Sequence, residues 1–283
     1  MVTDAKTNRA PPHRQPDPGE ARTQAMLAVT ELNKAFGGLQ AVQALSFDVA
    51  PGEILGFIGP NGAGKTTVFR LISGAHLPDA GRICLDGVDI TGWPTHRVVN
   101  AGITRTFQTP RPFHHKSVAE NVEIALLPNA LFGQRIRREH AKISELCARV
   151  GLCHVLDHEP STDGRGCACW ETSPDVLPQA GLRQLEIARA LASDPKVILL
   201  DEPFAGLTSD EVERLSGTLA ELRDEGRTMV LVDHNMQGLM RLVDRVLVIH
   251  FGRKIAEGDP VTIADDPQVQ EAYLAGSDSE LSP

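Results

Sequence analysis

The chain has 283 residues, more than the roughly 150 of a typical domain, so one elaborated domain or two lobes would fit. A formal net charge of −9 with no dense basic block argues against nucleic acid as the partner. No apolar run approaches the ~20 residues that cross a bilayer, and the start lacks the apolar core of a secretory signal.

Residues 1–25, with Pro11, Pro12, Pro16 and Pro18 close together and no recurring apolar position, read as a disordered or weakly docked tail. Strands are predicted through Leu27–Leu32 and, from the alternation of Leu45, Phe47 and Val49 with polar neighbours, up to Val49. Pro51-Gly52 turns the chain into the apolar run Ile54–Ile58, and a helix follows to about Ser73. Arg82–Gly87 alternates again, so an antiparallel sheet accompanies the core. Ile103–Gln108 reads as a strand entering a loop. Ser117 with Glu120 three residues on has the form of a capping box for a helix reaching Leu127.

Gln134–Val150 places Ile136, Ile143, Leu146 or Cys147, and Val150 on one helical face. Asp157–Val176 reads as an irregular loop without a chemical role. A helix over Leu182–Ala192 is stopped by Asp194-Pro195. The continuous apolar run Val197–Leu200 has the character of a buried parallel strand. Asp210–Glu225 is amphipathic and ends at Gly226. Met229–Val232 and Val246–Ile249 supply two more strands, and a short helix over Gln268–Leu274 precedes a polar tail at 276–283. Five cysteines, odd in number and without a disulfide framework's spacing, suit a reducing compartment. Cys167-Ala168-Cys169, with Cys153-His154 upstream, is tighter than the usual zinc knuckle and is read as buried or loop cysteines.

The most informative stretch is Gly59-Pro60-Asn61-Gly62-Ala63-Gly64-Lys65-Thr66-Thr67, which follows a predicted strand and has the P-loop spacing. Its glycines let backbone N–H groups converge on one point without side chains crowding phosphates. Lys65 supplies charge between the β- and γ-phosphates, Thr66 a hydroxyl for Mg²⁺, and the helix beginning there presents its positive end. Asn61, Gly62, Ala63, Gly64 and Thr67 complete the cradle. Asp201-Glu202 ends a buried strand, where two carboxylates are costly unless their charge is used. Asp201 is the direct or indirect Mg²⁺ partner, and Glu202 the group that orients and polarises the attacking water. Gln108 and His234 each lie just past a predicted core strand, at the edge where ligands of open α/β sheets collect. Gln108 is placed to contact Mg²⁺ and water, and His234 to bond the γ-phosphate.

On these motifs the chain resembles the nucleotide-binding subunit of an ABC transporter over about residues 26–275. They are the Walker A run GPNGAGKTT (59–67), the Q-loop TFQ (106–108), the Walker B run VILLDEP (197–203), the D-loop AGL (205–207) and His234 of the H-loop. The resemblance implies an α/β P-loop NTPase core with an antiparallel β subdomain and a helical subdomain over about 109–192. It also implies hydrolysis of ATP with Mg²⁺, and Phe36 as the aromatic on which adenine stacks. AFGGLQAV (35–42), SGAHLPDAGRICLDGVDITG (73–92), ITRTFQTPRPF (103–113), LEIARAL (185–191), FGRKIAEGDP (251–260) and EAYLAG (271–276) further resemble LivG-type subunits of branched-chain amino-acid importers. That implies a peripheral protein on the cytoplasmic face of the plasma membrane. Its partners would be two permease subunits, docked through about residues 109–125, a second ATPase subunit and, indirectly, a substrate-binding protein. Urea, short amides or other amino acids are alternative cargoes.

One motif departs. Aligned backward from LEIARAL, Pro178 stands where the family's signature has Ser, Ala180 where it has the second Gly, and Gly181 where it has Gln. Proline has neither hydroxyl nor N–H, and alanine crowds the approach. The expected consequence is weakened contact with nucleotide held by the opposite subunit. Either a different second subunit supplies an intact signature or the self-paired ATPase is slow; a nucleotide-gated subunit with little hydrolysis is the alternative.

Overall fold

The computed structural model describes residues 25–126, 140–156 and 167–277. The terminal tail 1–24, the last residue of the predicted Ser117–Leu127 helix, the first part of the predicted Gln134–Val150 helix and residues 157–166 of the predicted loop lie outside these residues, as does the end of the chain from 278.

Two sheets organise the described residues. Strands β1 (Leu27–Phe36), β2 (Leu39–Val49), β4 (Ala80–Leu85) and β5 (Val88–Asp89) form an antiparallel sheet in the order β2-β1-β4-β5. The second sheet runs β10-β9-β3-β8-β7-β6, comprising β3 (Ile54–Ile58), β6 (Ile103–Arg105), β7 (Val197–Asp201), β8 (Thr228–Val232), β9 (Arg245–His250) and β10 (Arg253–Gly258). Its strands are parallel except for β10, which returns antiparallel on β9. β3, β7 and β8 are buried at every residue, the mark of strands covered on both faces and the reason they read as unbroken apolar runs.

The helix α1 (Lys65–Ile72) leaves β3 directly and buries Val68, Phe69, Leu71 and Ile72. Phe57 of β3 meets Phe47 of β2 edge-on at 5.0 Å and Phe69 of α1 at 6.1 Å, so one aromatic column joins the antiparallel sheet to the strand and helix flanking the P-loop. On the other face, α3 (Val118–Ala125), α4 (His140–Arg149), α5 (Leu152–Val155) and α6 (Gln179–Ala192) pack together. The predicted capping box is present: Ser117 accepts from the Glu120 N–H and the Glu120 carboxylate accepts from the Ser117 N–H. Thr208 and Glu211 form a second one at the start of α7 (Ser209–Asp224).

Four helices escape the sequence reading: α2 (Thr95–Ala101), the single turn α5, α8 (Met236–Leu242) and α9 (Pro260–Ala264). The short hairpin strands β5 and β10 do as well. The helix α6 begins at Gln179 rather than Leu182, which draws the signature-position residues into its first turn. In the predicted loop Asp157–Val176, the described part holds 3₁₀ turns at Ala168–Trp170 and Pro174–Val176. The final helix, α10, spans Pro267–Ser277.

Candidate functional site

The strand order β3-β8-β7-β6 sets four strand ends side by side at one edge of the parallel sheet. The P-loop follows β3, Asp233-His234 follows β8, Glu202 follows β7, and Thr106–Gln108 follows β6. Residues far apart in sequence therefore share the crevice at the carboxyl ends of the strands, where α/β sheets take ligands.

Backbone geometry builds the cradle. Gly59 and Gly64 have φ of 149° and 106°. A Cβ on Gly59 would stand 2.0 Å from the Ile249 carbonyl oxygen, and one on Gly64 would stand 2.4 Å from that of Ala41. No side chain caps α1, so its first N–H groups stay available to an anion at its positive end. The Lys65 ammonium donates to the carbonyls of Gly59 at 2.5 Å and Pro60 at 2.9 Å. Burial pushes its pKa below the ordinary lysine value, while the charge of Glu202 pulls the other way. An anion in the cradle would further favour the ammonium form.

Glu202 sits past the end of β7 in a left-handed turn, φ 50°, a conformation that costs a non-glycine residue about 1–2 kcal/mol. Its N–H donates to the Val232 carbonyl at 2.7 Å, which fixes the turn against β8. The carboxylate accepts from Gln108 Nε2 at 2.8 Å and lies 3.2 Å from His234 Nε2. The structure thus brings three predicted site residues into direct contact, and all three line one cleft of about 600 Å³ with Phe36, Asn61, Gly62, Ala63, Gly64, Lys65, Thr66 and Thr67. Phe36 is 43% exposed and meets His76 edge-on at 5.4 Å.

Asp201 stands apart. It is only 2% exposed, does not line the cleft, and its carboxylate accepts from Arg105 at 2.6 Å. Behind the wall, buried Asp233 accepts from the N–H groups of Phe204 and Asn235 at 2.8 and 2.7 Å, tying the stretch after β7 to the one after β8. Burial raises the Asp233 pKa, and these two N–H bonds oppose the rise.

Sequence reasoning leaves four further groups unassigned. Arg105 holds Asp201. Glu186 of α6 accepts from the N–H groups of Phe107 and Arg111 at 3.2 and 3.3 Å, and Arg183 of the same helix donates to the Phe107 carbonyl at 3.0 Å, so α6 is clasped to the loop carrying Gln108. Phe251, 74% exposed, lines the cleft with Phe36. The fourth is Tyr273 of α10, the chain's single tyrosine, whose hydroxyl accepts from the Gly59 N–H at 2.8 Å. No local pattern marks these residues; only their uncommon types in short motifs offer a signal.

Tyr273→Phe keeps the ring but leaves that N–H without its acceptor, which costs about 1 kcal/mol. The expected result is a Tm lowered by roughly 2–4 °C in a domain of this size, read by calorimetry. An unchanged Tm would show that α10 does not brace the P-loop.

Glycine cradle, lysine, threonine hydroxyls and a held carboxylate together fit a nucleoside triphosphate. Comparison with known proteins agrees. A family model described as ABC transporter matches residues 42–205, and one described as branched-chain amino acid ATP-binding cassette transporter matches 253–274, the stretch from β10 through Tyr273. The chain is 36% identical over 261 residues to the high-affinity branched-chain amino acid transport ATP-binding protein BraF of Pseudomonas aeruginosa, covering 89% of this chain and 98% of that protein. It is 34% identical over 265 residues to the corresponding LivG protein of Escherichia coli, with 89% and 98% covered. Among solved structures it is similar to MJ1267, an ATP-binding cassette of an ABC transporter, with a TM-score of 0.75 at 29% identity over 89% of this chain and 99% of that one. It is also similar to cbiO1 of Clostridium perfringens, part of an ABC transporter complex, with a TM-score of 0.72 at 25% identity over 91% and 100%. The chain belongs to the ABC transporter family, as an ATP-binding cassette with the ATPase fold of that family.

Proposed function

We propose that this cassette hydrolyses ATP to power an importer of branched-chain amino acids, working on the cytoplasmic face of the membrane against two permease subunits and paired with a second cassette. A binding protein delivers the cargo to the permeases. The substrate class rests on the names of the relatives and on the second family match. The described residues include no helix long and apolar enough to cross a membrane, and the membrane-spanning path belongs to the permeases. We take residues 26–275 as the cassette and about 109–192 as its helical lobe, with 109–125 facing the permeases.

The observation that carries the catalytic reading is the contact of Glu202 with both Gln108 and His234 beside the P-loop. Phe36 stacks on the adenine. The amides from Asn61 to Thr67 cradle the phosphates, and Lys65 exchanges its two carbonyl partners for phosphate oxygens. Thr66, Gln108 and Asp201 are the residues that would hold a Mg²⁺ ion with the nucleotide, and the ion would supply positive charge against the phosphate oxygens. Asp201, buried and paired with Arg105, fits a hold through water. Glu202 accepts a proton from the attacking water as its oxygen bonds to the γ-phosphorus and the bond to the β-phosphate oxygen breaks, giving ADP and phosphate. His234 and Gln108 keep that carboxylate in register.

A second reading has one specific observation behind it. Pro178 occupies the N-cap of α6 without a side-chain cap bond, so this subunit offers a poor contact to its partner's nucleotide. One of the two composite sites would then be degenerate.

The test is uptake into vesicles holding the cassette with its permeases and binding protein. ATP-dependent accumulation of leucine, isoleucine or valine, with turnover stimulated by the loaded binding protein, is expected. Uptake of urea or short amides instead would overturn the cargo, and tight nucleotide binding without turnover would favour the degenerate subunit.

A further inference from the structure

Three of the five cysteines, separated in sequence, converge on one point of the helical layer, away from the nucleotide cleft, and a fourth adjoins one of them. Cys147 lies on α4, Cys153 on α5, and Cys167 and Cys169 bracket the start of the 3₁₀ turn Ala168–Trp170. All four are buried, with exposures of 0, 3, 2 and 0%, and none forms a disulfide. The sulfurs of Cys153, Cys167 and Cys169 all lie within 4.8 Å of one another, and Cys147 sits within thiol hydrogen-bonding reach of Cys169. Cys84, the fifth, belongs to β4 in the other layer.

We infer that these four cysteines form a structural site for a single thiophilic divalent cation of the zinc class, an inference that goes beyond the nucleotide chemistry and does not depend on it. An apolar core has use for a buried cysteine as a small hydrophobe, but it gains nothing from gathering several from three separate elements. A tetrahedral ion requires that gathering. With Zn–S bonds of about 2.3 Å, tetrahedral thiolates stand roughly 3.8 Å apart, so Cys153, Cys167 and Cys169 need only a small contraction, and Cys147 completes the set by moving in from its contact with Cys169. An iron–sulfur cube sets each thiolate on a different iron and spreads the sulfurs more widely, which the spacing disfavours. The pattern C-x5-C followed later by C-x-C misses the common knuckle spacing because its ligands come from a helix, a single helical turn and a 3₁₀ turn.

Placement gives the ion a structural role. The Val118 N–H at the head of α3 donates to the Thr172 carbonyl at 2.9 Å, and the Thr172 hydroxyl donates to the Ala168 carbonyl at 2.8 Å. The turn carrying Cys167 and Cys169 is thereby bonded to the helix that follows the Gln108 loop, and it leads within a few residues to the N-terminus of α6. An ion here would pin α4 and α5 to that turn and hold the platform under the signature-position residues. Substrate turnover does not enter.

The test is the metal content of the full chain purified without chelator under reducing conditions. About one zinc per chain is expected, released when a mercurial titrates the thiols, lost in Cys153→Ser and Cys169→Ser, and retained in Cys84→Ser. Because the serine variants of buried positions can fail to fold, the wild-type chain is also reconstituted with cobalt(II). The visible bands of tetrahedral cobalt–thiolate would support the site. A wild-type chain that binds neither zinc nor cobalt(II) would overturn it. So would intact mass showing paired hydrogens lost to disulfides, or bound iron with labile sulfide.

Discussion

Glu202→Gln is expected to lower ATP turnover by about 100- to 10,000-fold, the share of a rate that a positioned general base supplies, while nucleotide binding persists. The substitution preserves size and a hydrogen-bonding end. The contacts now made by the carboxylate, 2.8 Å from Gln108 and 3.2 Å from His234, can be kept by the amide with a change of donor and acceptor roles. What disappears is the basic carboxylate oxygen that takes the water's proton. The charge lost also matters to Lys65, whose pKa is pulled up by Glu202 against the downward push of burial. Phosphate oxygens replace that attraction once ATP is bound, so affinity should hold or rise. Steady-state phosphate release and equilibrium ATP binding, measured on one preparation, check both halves. Equal turnover in the variant would remove Glu202 from the chemistry.

The double variant Pro178→Ser with Ala180→Gly is expected to raise the turnover of the self-paired cassette by at least about 10-fold, since a single preorganised donor to a developing charge is worth about 10²–10³ in rate. Pro178 stands at the N-cap of α6 with extended backbone and no side-chain bond to the first turn. A serine there gains a hydroxyl that can cap α6 and face the opposite subunit's phosphates. The stability terms nearly cancel. An N-cap serine adds about 1 kcal/mol, and glycine in the first helical turn removes up to about 1 kcal/mol relative to alanine. A change in rate with an unchanged Tm would therefore report the contact itself. An unchanged rate would show that the departure from the family signature is tolerated.

The proposed nucleotide site is legible because its parts are local and short. A strand, a glycine run, Lys65 and Thr66 occupy one stretch, and Glu202 and His234 each follow an apolar run that can only be a buried strand. That Phe36, Gln108, Glu202 and His234 share one cleft depends on strand order, which the sequence implies only through the family resemblance. The short elements α5 and α9 are too brief to display a period, and β10 is a half-buried edge strand of polar and small residues. The contacts that brace the site were out of reach for a different reason. Arg105 with Asp201, Glu186 with the Gln108 loop, and Tyr273 with Gly59 join residues separated by 75 or more positions, and nothing near either partner reveals the other. The cysteines make the same point. Their spacing argues against a cluster, and the packing of α5 on the turn at Ala168–Trp170 gathers three of them.

The most direct measurement is a single turnover of γ-labelled ATP on the cassette assembled with its permeases, following bound nucleotide and released phosphate together. The wild-type complex should bind ATP with Mg²⁺ and free the label as phosphate, whereas the complex with Glu202→Gln should retain the label on intact ATP. Failure of the wild type to hold Mg-ATP, or release of phosphate at the same rate from both complexes, would contradict a triphosphate gripped around Lys65 and cut by water under the control of Glu202.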